Sequence, residues 1–187
     1  KNQELFQERL NRVEKAIRLE IPDRVPVATF FASWIQEAQG SCYRDIFYDH
    51  DKAGQAALDF YARHPLCDAH SFAGLISGRT HEMLQTSVLD WPGRPGTAVS
   101  DHSSHQIIER ELMLQEEYEE MLDDFTGFMI RKYIPRLYPS LQAFSGVHLQ
   151  MTSAIIPTYM RPLYNPEMLK CYEILGKVAE ENNAAMN

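Results

Sequence analysis

Arg12–Phe31 reads RVEKAIRLEIPDRVPVATFF, and two hydrophobic rhythms meet in it. Counting back to Asn2, the residues Phe6, Leu10, Val13 and Ile17 recur at spacings of four, three and four, with Glu, Arg and Lys between them. That pattern predicts an amphipathic helix over Asn2–Leu19. Pro22 ends it, because proline supplies no N–H for a further turn, and Pro22-Asp23-Arg24 forms a short connector. Val25–Phe31 is then an unbroken apolar run rich in β-branched and aromatic residues. Such a run predicts a strand buried on both faces, as in parallel sheets.

Ligands of α/β proteins gather beyond the carboxyl ends of the strands. Phe31, Trp34 and Gln36 follow the first strand at that end and are substrate-binding candidates, their rings able to flank a flat ligand. The competing reading is that Phe30, Phe31 and Trp34 are core, since large aromatics mostly contribute buried area. Asp49 and Asp51 are placed to cap a helix over Lys52–His64, with Ala53, Ala57, Phe60 and Tyr61 inward. Capping is preferred to a metal triad Asp49-His50-Asp51, because adjacent side chains at a helix entrance diverge. Pro65 breaks that helix, and Leu66–Ala73 predicts a second strand carrying Asp68, His70 and Ser71. His70 and Ser71 join the candidates; His70 reads either as pocket-facing or as a hydrogen-bonded structural residue.

Gly74–Gly78 misses the nucleophile elbow by one residue. His81-Glu82-Met83-Leu84-Gln85 has glutamine where a metalloprotease needs its second histidine. Leu89–Gly96, LDWPGRPG, is too rich in Pro and Gly for regular structure, with Trp91 as its packing anchor. Asp101, His102 and His105 have a spacing that suits a metal on a helix, but no third nitrogen or sulfur ligand lies close in sequence. Gln106–Arg110 reads as a short strand. Apolar residues from Leu112 to Leu137 predict two helices that break near Asp124 or Thr126, the second limited by Pro135. Glu116, Glu117, Glu119 and Glu120 form the solvated face of the first. Val147–Tyr164 reads as an irregular crossing with Tyr159 and Arg161 as polar tips, both further binding candidates. Pro166 opens a last helix through Met186, with Met168, Leu169, Tyr172, Leu175 and Val178 inward.

The chain has 187 residues, 44% of them hydrophobic, which suits a single domain over 1–187 with a sizeable core. A net charge of −8 with scattered cations argues against nucleic acid as a partner. The longest apolar stretch is too short to span a bilayer, and no leader precedes it, so a cytoplasmic protein with no membrane partner is expected. Cys42, Cys67 and Cys171 are too far apart for a zinc ribbon and odd in number, so free, mostly buried thiols are expected.

The opening RVEKAIRLEIPDRVPVATF, the segments YARHPLCDAHSF and VLDWPGRPG, and the run EEYEEMLDDFTGFMIRKYIPRLYPSLQAF touch most of the chain. Together they resemble the N-terminal part of uroporphyrinogen decarboxylase-like proteins, and in particular the anaerobe-type branch linked to corrinoid-dependent methyl transfer. The resemblance implies an α/β fold, the front portion of a (β/α)8 TIM-barrel-like fold with extra helices. The barrel would be incomplete here, since a closed one takes typically ~250 residues.

Decarboxylation in that family uses an arginine-bearing loop after the first strand to clamp substrate propionates, and an Asp near the end of the second. Here no Arg or Lys lies between Val25 and Tyr43, and Asp68 falls at the start of its strand. The methyltransferase branch uses zinc held by His-x-Cys and a distant Cys. No His-x-Cys occurs in this chain, so the resemblance places such ligands downstream of Asn187. It implies no cofactor within these residues, corrinoid and zinc for a longer protein, and a small-molecule substrate or a corrinoid protein as partner. The alternatives are uroporphyrinogen decarboxylation itself, or a non-catalytic α/β binding or subunit module whose sheet edge a partner or a second copy covers.

Overall fold

A computed structural model of the chain describes residues 2–29, 34–70, 77–148 and 160–186. Most of them are helical, strands are few, and the chain divides into two compact units, 1–75 and 76–187.

In the first unit, α1 (Asn2–Ile17) precedes β1 (Ala28–Thr29). Helices α2 (Trp34–Ala38), α3 (Tyr43–Tyr48) and α4 (His50–Arg63) follow, and then β2 (Ala69–His70). The strands pair in parallel, Ala28 opposite Ala69 and Thr29 opposite His70, so the helices between them form a crossover. Asp49 caps α4 by accepting from the Lys52 N–H, as its position predicts. Ile35, Ala57 and Phe60 make the core, with Tyr61 packed against it.

The expected doubly buried strand over Val25–Phe31 is not what forms among the described residues. Pairing is confined to Ala28–Thr29, while Val25 is exposed at 81% and Val27 at 41%. Two features shorten the strand. Pro26 has no N–H to give to a ladder, and the Val27 N–H is taken by the Asp68 carboxylate at 2.9 Å.

The second unit begins with α5 (Gly78–Leu84), capped by Ser77, whose hydroxyl accepts from the Arg79 N–H and donates to Glu181. Strands β3 (Leu89–Asp90) and β4 (Gln106–Ile107) pair antiparallel, so the loop read as irregular contributes a short strand before its turns. A 3-10 turn over Gln115–Glu117 leads into α6 (Tyr118–Asp123). Next come α7 (Phe125–Phe128), a π turn over Met129–Tyr133 and α8 (Ile134–Leu137). The predicted break is present: Asp124 ends α6 and caps α7 by accepting from the Gly127 N–H. A Cβ at Gly127 would meet the Asp124 carboxylate and the Arg131 guanidinium, so a larger residue there would make those two side chains shift. Pro135, in contrast, does not end its helix. The wide π turn ahead of it accommodates a ring and a missing N–H that a regular α-turn would not.

A 3-10 run over Pro139–Gly146, a 3-10 turn over Arg161–Leu163 and α9 (Pro166–Met186) complete the unit. Its core is Leu84, Leu141, Met168 and Cys171. Leu169 and Tyr172, expected inward on the last helix, are exposed at 50% and 42%; the helix turns its Met168–Cys171 stripe to the core instead.

Glu117 is a further correction. Rather than joining a solvated acidic face, it is buried and receives both guanidinium nitrogens of Arg136, at 2.6 and 2.7 Å. The Arg136 bond first, and the Leu114 N–H and Lys132 after it, hold its carboxyl well below the ordinary range. Among the described residues no helix is long and apolar enough to cross a membrane. All three cysteines are free thiols, with Cys171 buried.

Candidate functional site

At the amino ends of the parallel strands, four segments are tied through one carboxylate. Asp68, its side chain fully buried, accepts from the Val27 N–H, from both terminal nitrogens of Arg24 at 2.7 Å, and from Arg12 at 2.6 Å. Arg12, itself 4% exposed, also bonds Asp23 and Glu8. This explains the Pro-Asp-Arg connector: Asp23 and Arg24 are the links by which α1 and the entrance to β1 are fastened to β2. Burial works to raise the Asp68 pKa, and the Val27 N–H and the two guanidinium groups outweigh it and hold the acid below its ordinary value. The Asp23 carboxyl is pulled down to about 2, chiefly by its hydrogen bond from Arg12.

Beyond β1 in the chain come two of the sequence candidates, Trp34 and Gln36. Trp34 opens α2 more than half exposed, and its ring meets Phe60 edge-on at 5.5 Å. Its ring is therefore only partly covered, while Ile35 and Phe60 supply the core. Gln36 is 4% exposed; its amide nitrogen donates to the Ala53 carbonyl at 3.3 Å, and its Oε1 is buried with no hydrogen-bond partner. The amide cannot simply be reversed, since Oε1 would then face another carbonyl oxygen. Thr29, on β1, shares a hydrogen bond with the Tyr61 hydroxyl at 3.1 Å. His70 occupies β2 opposite Thr29. Phe31, Ser71 and Tyr159 lie outside the described residues. Arg161 is exposed on a 3-10 turn of the second unit.

An unpartnered buried carbonyl costs about 1–3 kcal/mol. Replacing Gln36 by methionine, close in shape and without a polar oxygen to desolvate, is therefore expected to raise the chain's unfolding midpoint. Thermal denaturation of the two proteins checks this, and an unchanged or lower midpoint would show that Oε1 is satisfied.

The second unit contains a cavity of about 230 Å³ that the sequence reading did not anticipate, lined by His81, Glu82, Gln85, Thr86, Trp91, Arg94 and Pro95. The discarded His81–Gln85 pattern and the Trp91 loop meet there. Trp91 is 1% exposed, with the His81 ring 5.0 Å away and the Arg94 guanidinium 5.1 Å from its centroid. His81 Nδ1 shares a 3.0 Å hydrogen bond with the Thr86 hydroxyl. The signal in the sequence was a tryptophan followed three residues later by an arginine, which says nothing about the helix they pack against. Asp101–His105 is not helical, so its histidines lack the side-by-side placement that a metal would need. Among the described residues no three His, Cys, Asp or Glu side chains are gathered to hold a metal.

Burial first, and repulsion from His105 second, lower the His81 pKa. The unfolded chain binds a proton at this residue near pH ~6.5, and the folded chain only at lower pH. Stability is thus fully present above about pH 6.5 and declines as pH falls from there toward the folded value. His81→Gln is expected to flatten that stretch of the stability profile, measured by urea unfolding across the acid range. A slope unchanged by the substitution would assign it to other groups.

Compared with known proteins, the chain matches no family model, no curated protein and no solved structure.

Proposed function

We propose that the chain is the front portion of a uroporphyrinogen decarboxylase-like (β/α)8 barrel, and that the protein serves corrinoid-linked methyl transfer rather than tetrapyrrole decarboxylation. The observation that carries this reading is the pairing of β1 with β2 in parallel across a helical crossover. From Val25 to Tyr43 the sequence holds no Arg or Lys, and its one charged residue is the acid Glu37. A porphyrinogen brings several carboxylates, and burying them without guanidinium or ammonium partners would be costly. The half-exposed ring of Trp34 suits a neutral or planar group instead.

Zinc of the kind that activates a thiol in this branch has no ligand set among the described residues. No step is therefore assigned to it on this chain, whose part in the reaction would be to shape and dry the pocket wall.

The test uses the full product of the encoding gene, given methylcobalamin and a simple thiol, with uroporphyrinogen in a parallel reaction. The expected result is a methyl thioether with loss of the methyl–cobalt absorbance, and no carbon dioxide from the tetrapyrrole. Carbon dioxide release would establish the decarboxylase instead. If neither reaction proceeds, the catalytic reading fails and a non-catalytic binding module takes its place.

A further inference from the structure

The acidic segment around α6 sorts into two kinds of carboxylate. Glu117 is paired with Arg136 and Lys132, Glu120 with Lys132, and Asp124 with Arg131. Glu116, Glu119 and Asp123 are exposed and make no hydrogen bond or ion pair among the described residues. Between them stand Tyr118, Leu122 and Phe125, exposed at 53%, 74% and 60%. Tyr118 and Leu122 are four apart on α6 and so lie on one face of it, and Phe125 opens the next helix. Single exposed apolar residues are ordinary, but three within eight positions, interspersed with unpaired carboxylates, mark an interaction surface.

We propose that this surface docks a basic amphipathic helix of a partner protein. The three apolar side chains supply the anchors, and aromatic residues such as Tyr118 and Phe125 are the type that dominates binding energy at interfaces. The unpaired carboxylates select the partner's charge: lysine or arginine beside its apolar stripe meets them favourably. The same surface of a second copy is disfavoured, since it would bring like carboxylates together. This proposal is independent of the reaction proposed above, because it uses no residue of the strand ends.

The test measures binding of a synthetic amphipathic helix built from leucine and lysine, beside one built from leucine and glutamate, at low and at moderate salt. Binding of the basic helix is expected, weakening as salt screens the exposed charges. Leu122→Ala with Phe125→Ala, which leaves the charge unchanged, is expected to weaken it at least tenfold, and Glu119→Lys with Asp123→Lys to abolish it. All these positions are exposed, and circular dichroism confirms that the variants fold. Undiminished binding by the alanine pair would reduce the effect to general counter-ion attraction and overturn the proposal. Equal binding of the acidic helix, or self-association that depends on Leu122, would overturn it in favour of a different occupant.

Discussion

Asp68→Ala is expected to destabilise the chain by about 3–5 kcal/mol, the range for removing one partner of a buried ion pair. A domain's total stability is only about 5–15 kcal/mol, so the effect should be visible as partial unfolding at mild urea concentrations. The reason is what the substitution leaves behind. Arg12 is almost wholly buried, and loss of Asp68 strands one of its nitrogens. Arg24 is partly exposed and can turn to water, so Arg24→Ala should be milder. Asp68→Asn keeps the shape and one acceptor oxygen and is expected to fall between. Because the Asp68 carboxyl is held below its ordinary value, its contribution is present above pH ~4 and is lost as pH falls through the folded value. The alanine variant should therefore show a shallower acid slope than the parent. Equal stability of parent and Asp68→Ala in urea would refute the clamp.

Trp91→Ala should cost about 3–5 kcal/mol, as for other large-to-small changes of fully buried aromatics. Trp91 is the largest fully buried side chain, and its removal would leave the His81 ring and the Arg94 guanidinium without the surface they rest on. Trp91→Phe retains part of the ring and should recover part of the loss. The chain has two tryptophans, so the emission left in the alanine variant is that of Trp34. If the loop over Leu89–Gly96 were a loosely held connector, the substitution would shift the unfolding midpoint hardly at all.

The Asp68 effect arises from contacts between residues distant in the chain, and this is where sequence reading met its boundary. The amphipathic helix α1, the Asp49 cap, the Asp124 break, the short strand at Gln106 and the packing of Trp91 were legible, because each follows from local periodicity or from a single residue's chemistry. The π turn before Pro135 was not, since proline's local preference is for an end and only the surrounding packing keeps the helix going. At the candidate site, Trp34 and Gln36 could be placed after the first strand, but the orphaned oxygen of Gln36 depends on Ala53, seventeen residues away.

By itself the sequence determined which segments coil, where proline and aspartate punctuate them, and that the region after Val25 carries no cation before Arg44. Tertiary structure alone decided which charges are structural. Asp68 and Glu117 look like ordinary surface acids in the chain, and folding buries them against arginines that local sequence does not pair with them. The physical reason is range. Helix rhythm and capping act over three or four residues, whereas the fate of a carboxylate depends on which guanidinium the fold carries to it through low-dielectric surroundings.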